Sequence, residues 1–387
     1  MLHSVTLTRH GAERVRAGHP WVFRNDLAAA EGLAGGEVVR VLDGRGAFLG
    51  LAFYSSRSLI ALRLFSRQDG EPDAAFWRER LDRALALRAA VVRDSNACRL
   101  VYGDSDGLPS VIVDRYADYL VLQTLSQGGE TIKPLLVSAL TEVLGPRGVV
   151  ERNDTKARAL EGLPLAHGVL HGEVPSAVEV VENGVTFLVD LLGGQKTGFF
   201  LDQRENRAAA GGYARGRALD CFTYAGGFAL RMARRAGHVT AVDFSAPALE
   251  QARRNAAANG VANVTFVQAN VFDYLHACDA DRERFDTVVL DPPAFAKSRE
   301  ALAGAVRGYK ELNLRALKIL NPGGMLITCS CSFHMSEGRF WAVLQSAAAD
   351  ARRPLQLLEK RTQARDHPIL LGLPESYYLK CFVLRAM

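Results

Sequence analysis

The sequence predicts an α/β protein whose C-terminal half forms a doubly wound parallel sheet, preceded by a small β-rich module and a central α+β module. Three successive patterns in the sequence support this prediction. Short strands and turns come first, strands mixed with helices follow, and from about Gly193 strand-like runs alternate with helical ones. The 387 residues, 48% of them hydrophobic, suffice for two or three domains. We place the domain boundaries at residues 1–72, 73–190 and 191–387.

The bulk composition predicts a cytoplasmic protein. Six cysteines at irregular spacing do not resemble a disulfide framework. The first residues lack the apolar stretch of a secretory signal, and no run of about 18 apolar residues predicts a membrane span, so we expect no membrane partner. The formal net charge of +5 mildly favours a polyanionic partner.

Residues 1 to about 70 are predicted to form a small all-β module. Hydrophobic residues alternate along it, and the Asp43-Gly44 pair is typical of a hairpin turn. The module is rich in arginine, which binds phosphate and stacks on bases. A GC-rich genome explains the abundance of arginine equally well.

The central segment is predicted to combine strands with two helices. Hydrophobic residues at helical spacing predict one helix over 73–93, and a second is expected over 132–144. The strands expected here are 108–113, 119–123, 148–151 and 178–189, the last turning at Asn183-Gly184. This mixture is typical of an α+β module.

The C-terminal half is predicted to alternate strand and helix throughout. The expected strands are 218–222, 239–243, 264–267, 286–291 and 325–329, each followed by a helix, and 377–384 as a last strand. This alternation is typical of a parallel sheet with helices on both faces, in which ligands bind at the carboxyl ends of the strands.

The first two of these strands end in residues suited to a nucleoside cofactor. Asp220 is followed by a Gly226-Gly227 turn that begins a helix, and Asp243 can accept hydrogen bonds from two ribose hydroxyls. A dinucleotide would require the G-x-G-x-x-G pattern, which the sequence lacks here. S-adenosylmethionine has no pyrophosphate, and its sulfonium and ammonium groups suit the Asp220 carboxylate. The pattern therefore favours S-adenosylmethionine.

The third strand ends at residues that can contact an adenine. Asn270 can pair with the ring edge, and Val271 or Phe272 can cover the ring face, although Phe272 is equally well explained as a core residue. Ser245 is better placed than Asp243 to cap the helix that follows the second strand. The cofactor-binding residues predicted at the strand ends are Asp220, Phe222, Thr223, Tyr224, Gly226, Asp243, Ser245, Asn270, Val271, Phe272 and Asp291.

The fourth strand is followed by Asp291-Pro292-Pro293, which predicts a rigid loop. Two prolines cannot continue strand pairing, so they would hold Asp291 at the carboxyl edge of the sheet, beside the cofactor. A purely structural loop is an alternative, but an acidic side chain beside a methyl donor favours a catalytic function.

Cys329 and Cys331 lie two residues apart where the fifth strand leaves the sheet. Residues at this spacing have Cα atoms about 6.5–7 Å apart, at or beyond the reach of a disulfide. Only His334 lies nearby as a further metal ligand, so we expect no metal site. Cys329 fits a core position. Cys331 is expected to face the crevice with Asp291, where a helix N-terminus and cations such as Lys297 would lower the pKa of its thiol.

A nucleophilic thiol beside a methyl donor suits methylation of a pyrimidine at C5. Addition of the thiolate to C6 makes C5 enamine-like, and loss of the C5 proton with elimination of the thiol restores the ring. Asp291 would bind the N3/N4 edge of cytosine and stabilise the adduct. The base has to be unpaired or flipped to reach such a crevice.

Several motifs together carry a resemblance to a known family. They span residues 18–23, 102–109, 193–204, 220–227, 291–295, 308–310 and 330–332. Along nearly its whole length the sequence resembles the bacterial RlmI-type 23S ribosomal RNA cytosine-C5 methyltransferases. The resemblance implies a PUA domain that binds RNA, a central α+β domain, and a Rossmann-like class I S-adenosylmethionine methyltransferase domain.

The resemblance also implies functions for individual residues. It implies Cys331 as the nucleophile, with Asp220, Asp243, Asn270 and Asp291 as contacts to the cofactor and the base. It further implies that Gln195, Lys196, Phe200 and Gln203 line the site from the segment that leads into the sheet. The family more often has Asp at the position of Asn270.

By this resemblance the substrate is large-subunit ribosomal RNA. The sequence leaves the oligomeric state open, with a homodimer as one alternative. Two other functions also stay open. One is methylation of an exocyclic base amine, which needs no thiol, although Ala294 separates the prolines from Phe295 here. The other is an RNA-binding assembly factor with a vestigial cofactor site. For the C5 proton, Lys297, His334 and water are all open as acceptors.

Overall fold

The computed structural model describes residues 2–30, 32–296, 298 and 300–387, and it divides into two compact units. The first unit comprises Met1–Val181, Val189–Leu201 and Arg365–Ser376. The second comprises Glu182–Leu188, Asp202–Ala364 and Tyr377–Met387. Within the described part of the chain, no helix has both the length and the hydrophobicity needed to cross a membrane.

The N-terminal part of the first unit is a mixed sheet with one helix. Its elements are β1 (His3–Leu7), α1 (Arg9–Arg16), β2 (Trp21–Phe23), β3 (Leu27–Ala29), β4 (Val38–Leu42), β5 (Phe48–Tyr54) and β6 (Ile60–Ser66). The strands pair in the order β2-β6-β5-β4-β1-β3. The β4–β5 hairpin turns at Asp43, as predicted, because the Asp43 side chain accepts hydrogen bonds from the backbone of Arg45 and Ala47.

The prediction of an all-β N-terminal module is wrong in one element, α1. The Thr8 side chain caps this helix by accepting a hydrogen bond from the Gly11 backbone, and Gly11, Ala12 and Val15 are buried along one face. The helix has only eight residues, and its three apolar positions are interrupted by charged residues. The helix is therefore too short for its hydrophobic period to be recognised in the sequence.

The remainder of the first unit contains a second sheet and its helices. The elements are α2 (Ala74–Val91), β7 (Ala97–Tyr102), β8 (Val111–Tyr116), β9 (Tyr119–Thr124), α3 (Gln127–Leu144), β10 (Gly148–Asn153), α4 (Lys156–Leu160) and β11 (Ala166–Gly172). The strands pair in the order β11-β10-β9-β8-β7. Helix α3 begins five residues before the predicted start. Ser126 caps it, and Gly128, which is unusual in a helix, packs too closely on Phe53 for a larger side chain.

The second unit contains the predicted doubly wound sheet. A two-stranded hairpin, β12 (Val178–Glu182) and β13 (Val185–Val189), precedes it in the chain and turns at Asn183-Gly184 as predicted. There follow α5 (Arg204–Tyr213), β14 (Arg217–Cys221), α6 (Gly227–Ala233), β15 (His238–Asp243), α7 (Ala246–Ala258), β16 (Val264–Gln268), α8 (Val271–Ala280), β17 (Phe285–Leu290), α9 (Leu302–Ile319), β18 (Leu320–Ser330), α10 (Glu337–Ala351), β19 (Leu355–Arg361) and β20 (Lys380–Ala386). The strands pair in the order β16-β15-β14-β17-β18-β20-β19, with β20 antiparallel to both of its neighbours.

Both faces of this sheet are covered, which explains why its strands are almost continuously apolar. Leu219 and Val288 pack into one buried cluster, whereas Ala218 and Val289 pack into the cluster on the opposite face. The chain order reverses between β14 and β17, because β14 pairs with both β15 and β17. The carboxyl ends of these strands therefore meet where such sheets bind ligands.

Candidate active site

The loop that follows β14 is held in an unusual backbone conformation by Asp220. Phe222, Tyr224 and Gly226 have φ angles of 65°, 49° and 84°, in the left-handed region that non-glycine residues rarely adopt. Asp220 Oδ2 accepts hydrogen bonds from the Thr223 hydroxyl at 2.5 Å and from the Ala229 backbone at 2.9 Å. These two bonds tie both ends of the loop to the strand. Such backbone strain persists only where surrounding contacts impose it, and it is common at binding sites.

The Asp220 carboxyl group is fully buried and close to other acidic groups. Burial is the main reason why its pKa is raised to about 7, and the negative charges of Asp291 and Asp243 raise it further. Among the described residues, Asp220 Oδ1 has no hydrogen-bond partner. Three carboxylates thus meet at the edge of the sheet, and a cationic ligand would relieve their mutual repulsion.

Asp243, at the end of β15, lies on the other side of the same loop. Its Oδ2 accepts a hydrogen bond from the Tyr224 backbone and its Oδ1 accepts one from the Ser245 backbone, both at 2.9 Å. Ser245 caps α7 by accepting from the Ala248 backbone, as predicted. Each carboxylate oxygen of Asp243 has a further lone pair, which suits the vicinal hydroxyls of a ribose.

Glycine at position 226 suits the local packing as well as the backbone angle. A Cβ atom at this position would lie 3.3 Å from the Ala252 side chain of α7. The glycine therefore allows α6 to begin close against α7. From the sequence, the Gly-Gly pair is explained by close approach of a ligand. The packing of α6 against α7 is a second explanation.

The residues at the end of β16 divide between the surface and the core. Asn270 is exposed and caps α8, because its Oδ1 accepts a hydrogen bond from the Phe272 backbone at 2.9 Å. Its amide nitrogen remains for a ligand. Val271 is buried in the core, whereas Phe272 is half-buried, with its ring centre 6.3 Å from that of Phe295.

Asp291 is half-buried at the end of β17 and is oriented by two amide side chains. Gln203 Nε2 donates to Asp291 Oδ1 at 2.8 Å, and Asn206 Nδ2 donates to Gln203 Oε1 at 2.6 Å. The Asn206 contact determines which end of the Gln203 amide faces the carboxylate. Gln203 is among the residues predicted to line the site, but Asn206 is not.

Cys331 lies against the loop that carries Asp291. Its thiol donates a weak hydrogen bond to the Pro292 carbonyl oxygen at 3.7 Å. Cys331 is half-buried, whereas the other five cysteines, all in the described part of the chain, are buried. Lys297, which is expected to lower the pKa of this thiol, lies outside the described residues.

The residue after Cys331 fixes the position of the turn. The Ser332 hydroxyl accepts a hydrogen bond from the Ala296 backbone at 3.2 Å and lies 3.0 Å from the Tyr309 hydroxyl of α9. Tyr309 is fully buried, and burial raises its pKa to about 12. The proline loop, α9 and the end of β18 are thereby connected around the thiol.

Lys380 is a further residue that sequence reasoning does not identify. It begins β20, is almost completely buried, and donates hydrogen bonds to the carbonyl oxygens of Ser332 and Tyr378. A lysine directly before the apolar run Cys381–Leu384 is the signal in the sequence that could have identified it.

Three of the predicted residues belong to the first unit. Gln195 and Lys196 are exposed, and Phe200 is half-buried. The Lys196 ammonium lies 4.1 Å from the centre of the Phe200 ring, a cation–π contact. Lys196 has a left-handed φ of 53°.

The described residues fit S-adenosylmethionine. The buried acidic edge with its unpartnered Asp220 oxygen suits a sulfonium and an ammonium group, Asp243 suits a ribose, and Asn270 presents an amide at the same edge. Within the described part of the chain, no group of three or more His, Cys, Asp or Glu side chains is arranged to hold a metal ion.

Comparisons with known proteins agree with this geometry. Residues 164–368 match the family of S-adenosylmethionine-dependent methyltransferases, and residues 5–67 match a PUA-like domain. The chain is 44% identical over 392 residues to ribosomal RNA large subunit methyltransferase I of Photobacterium profundum, covering 99% of each chain. It is 41% identical to the protein of the same name from Aliivibrio fischeri, covering 100% of each.

Two solved structures share the fold. One is a candidate SAM-dependent methyltransferase from Streptococcus mutans, with a TM-score of 0.85 and 22% identity over 99% of this chain and 100% of that one. The other is a candidate methyltransferase complexed with SAH, with a TM-score of 0.86 and the same identity and coverage.

Proposed function

We propose a function on the basis that the chain belongs to the S-adenosylmethionine-dependent methyltransferases, and among them to the ribosomal RNA large subunit methyltransferase I family. The proposed reaction is methylation of C5 of a cytosine in large-subunit ribosomal RNA. One observation carries the choice of C5. The half-buried Cys331 thiol contacts the Pro292 carbonyl, next to Asp291, whereas the other cysteines are buried. Methylation at C5 requires such a nucleophile, and methylation of an amine does not.

The cofactor would be bound along the carboxyl edge of β14, β15 and β16. When bound, S-adenosylmethionine supplies a methyl group made electrophilic by its sulfonium. Asp243 would accept hydrogen bonds from the ribose hydroxyls, and Asn270 would contact the adenine edge. The Asp220 carboxylate would attract the sulfonium and ammonium groups. We further propose that the other predicted residues also contact the cofactor. They lie in the loops that follow these strands or in the segment 195–203.

Cys331 and Asp291 would act on the base. The Cys331 thiolate adds to C6, and the electron pair of the C5–C6 double bond then makes C5 nucleophilic. After methyl transfer, a base removes the C5 proton, and the electron pair of the C–H bond restores the double bond and expels the thiolate. Asp291, oriented by Gln203, would hydrogen-bond the N3/N4 edge and stabilise the adduct.

The RNA would be held partly outside this site. A base in a helix cannot reach Cys331, so the target has to be unpaired or flipped. We propose that residues 1–72, 73–190 and 191–387 are the RNA-binding, central and catalytic domains. Support for the first comes from the PUA-like match over residues 5–67. A ribosomal RNA substrate would place the protein in the bacterial cytoplasm.

A covalent trap tests the proposed mechanism. RNA transcripts containing 5-fluorocytidine lack the C5 proton, so the enzyme cannot be eliminated after methyl transfer, and the wild-type protein should form a denaturation-resistant complex in the presence of S-adenosylmethionine. Cys331→Ser should form none. Cys329→Ala, which removes the neighbouring buried thiol, should still form the complex.

Release of tritium distinguishes C5 methylation from methylation of an exocyclic amine. RNA labelled with tritium at cytosine C5 should lose about one tritium for each methyl group transferred, since C5 substitution displaces that hydrogen. Methyl transfer without tritium release would exclude the C5 mechanism. Mass mapping of ribosomal RNA from cells that lack the protein would then identify the modified cytosine.

A further inference from the structure

Lys380 connects the two sides of the turn that carries Cys331. In the antiparallel pairing of β18 and β20 it lies opposite Ser330, the residue before the cysteine. Its Nζ donates a 2.8 Å hydrogen bond to the carbonyl oxygen of Ser332, the residue after the cysteine. A second bond of 2.8 Å goes to the Tyr378 carbonyl. Lys380 thus contacts the chain on both sides of Cys331: its backbone pairs opposite Ser330, and its ammonium group binds Ser332.

A buried ammonium group is costly, which argues for a function beyond packing. Lys380 is only 2% exposed. Transfer of a charged group out of water costs several kcal/mol unless partners compensate for it. The hydrogen bonds that Lys380 donates to Ser332 and Tyr378 both go to neutral carbonyl groups, and among the described residues no carboxylate lies within ion-pair distance of its Nζ.

Glu337, whose negative charge acts on Lys380, is already engaged by other groups. Glu337 of α10 accepts hydrogen bonds from Lys360 of β19 at 2.6 Å and from the Tyr377 hydroxyl at 2.8 Å. The Tyr377 ring centre lies 5.9 Å from Lys380 Nζ. The charge of Glu337 is thus balanced mainly by Lys360, and the positive charge of Lys380 stays available to Cys331.

Burial lowers the pKa of Lys380 to about 8, while the negative charges of Cys331 and Glu337 act in the opposite direction. A group with this pKa is still about nine-tenths protonated at pH 7. Lys380 is therefore mostly a cation under working conditions, which suits the stabilisation of an anion.

A cation near Cys331 favours ionisation of its thiol. Its thiol proton is directed at the Pro292 carbonyl oxygen. Once the proton is lost, the negative thiolate faces the partial negative charge of this carbonyl oxygen, and the two repel each other. A positive charge close to the sulfur offsets that repulsion and lowers the free energy of the thiolate.

We propose that Lys380 is a positioning residue for Cys331. The ammonium group of Lys380 holds the 330–332 turn in place and stabilises the Cys331 thiolate. The inference rests on the proposed function for its assignment of Cys331 as the nucleophile. It concerns an electrostatic interaction between two side chains of this chain, and its test therefore needs neither RNA nor methyl transfer.

The test is the pH dependence of alkylation at Cys331. The rate of modification of Cys331 by iodoacetamide is followed by peptide mass spectrometry between pH 5.5 and 10, with Cys331→Ser as the background. Lys380→Met should raise the apparent pKa of the thiol by about one unit and slow alkylation near pH 7 about tenfold. Lys380→Arg, which retains the charge, should stay close to the wild-type profile.

Two results would overturn the proposal. One is an unchanged alkylation profile in a Lys380→Met protein that still binds S-adenosylmethionine. The other is an equal shift in Lys380→Met and Lys380→Arg, which would assign the effect to packing. If Lys380→Met does not fold, Lys380→Gln replaces it as a neutral variant that keeps a hydrogen-bond donor. A failed fluorocytidine trap with an intact alkylation shift would reject the C5 mechanism and leave the interaction between Lys380 and Cys331 established.

Discussion

Gln203 donates a hydrogen bond from its amide nitrogen to Asp291 Oδ1 over 2.8 Å, although 88 residues separate the two in the chain. Asn206 accounts for the direction of this bond, because it donates to Gln203 Oε1 and leaves the amide nitrogen to face the carboxylate. Asp291 is thus held in one orientation before any ligand binds. An acid that has to bind a base edge in one geometry benefits from such preorganisation.

Gln203→Glu should lower the rate of methyl transfer more than Gln203→Leu. The glutamate would place a second carboxylate against Asp291, whereas leucine only removes the hydrogen bond. Loss of a hydrogen bond to a charged group costs about 1.5–3 kcal/mol, so we expect about a 10- to 100-fold decrease in kcat for Gln203→Leu and a larger one for Gln203→Glu. Single-turnover methylation of an RNA substrate measures this. Equal, small effects in both variants would show that Gln203 does not orient Asp291.

The residues that share one edge of the sheet can be predicted from the sequence. Asp220, Asp243, Asp291 and Cys331 each stand at or just beyond the end of a strand, and in a doubly wound sheet these ends meet. The strands themselves are hydrophobic runs that are easy to recognise. The fold and the position of these residues at the strand ends therefore follow from the amino-acid sequence alone.

The partners of those residues do not follow from the sequence. Asn206 lies on a helix ahead of the sheet, and Lys380 lies on the antiparallel strand β20, so both reach the site only through tertiary contacts. Hydrophobic periodicity indicates which residues are buried, but it does not indicate which buried polar residue faces which strand end. Lys380 can thus be noticed as a lysine at the start of an apolar run, but its contact with the Cys331 turn cannot be predicted.

Tyr309→Phe should weaken the support of the Cys331 turn while leaving the chemistry intact. The change removes the hydroxyl that lies 3.0 Å from Ser332 Oγ but retains the buried ring. We expect a loss of about 1 kcal/mol in the free energy of unfolding and a modest decrease in kcat. Because the Tyr309 pKa is raised to about 12, the pH profile of activity below about pH 10 should keep its shape. Urea denaturation and rates between pH 6 and 10 test both points.

Asn270→Ala and Asn270→Asp should separate helix capping from cofactor binding. The Asn270 side chain caps α8, and loss of an N-cap costs about 1 kcal/mol, so Asn270→Ala should be destabilised by that amount. Asn270→Asp keeps the cap and should remain close to wild type in stability. If the amide also contacts the adenine, Asn270→Ala should bind S-adenosylmethionine about tenfold more weakly by calorimetry. Unchanged affinity in both variants would restrict Asn270 to capping.

Asp220 should make the ligand-free protein less stable as the pH rises from about 4 to about 7. Its pKa is raised by burial from 3.8 to about 7, so in this window the folded state binds a proton that the unfolded state has lost. The destabilisation is complete above about pH 7 and, at about 1.4 kcal/mol for each pKa unit, amounts to about 4 kcal/mol. Asp220→Asn, which cannot ionise, should be more stable than wild type at pH 8.5 and close to it at pH 4.

The same carboxyl group should make binding of the cofactor depend on pH. The sulfonium and ammonium groups favour ionised Asp220, so S-adenosylmethionine should bind more tightly as the pH rises through about 7, with release of a proton. S-adenosylhomocysteine lacks the sulfonium charge and should show a weaker dependence. Calorimetry in buffers of different ionisation enthalpy counts the released protons. Equal proton release for the two ligands would show that Asp220 does not respond to the charge of the methyl donor. An Asp220→Asn variant that is less stable than wild type at pH 8.5 would contradict the assignment of Asp220 as a buried acid with a raised pKa.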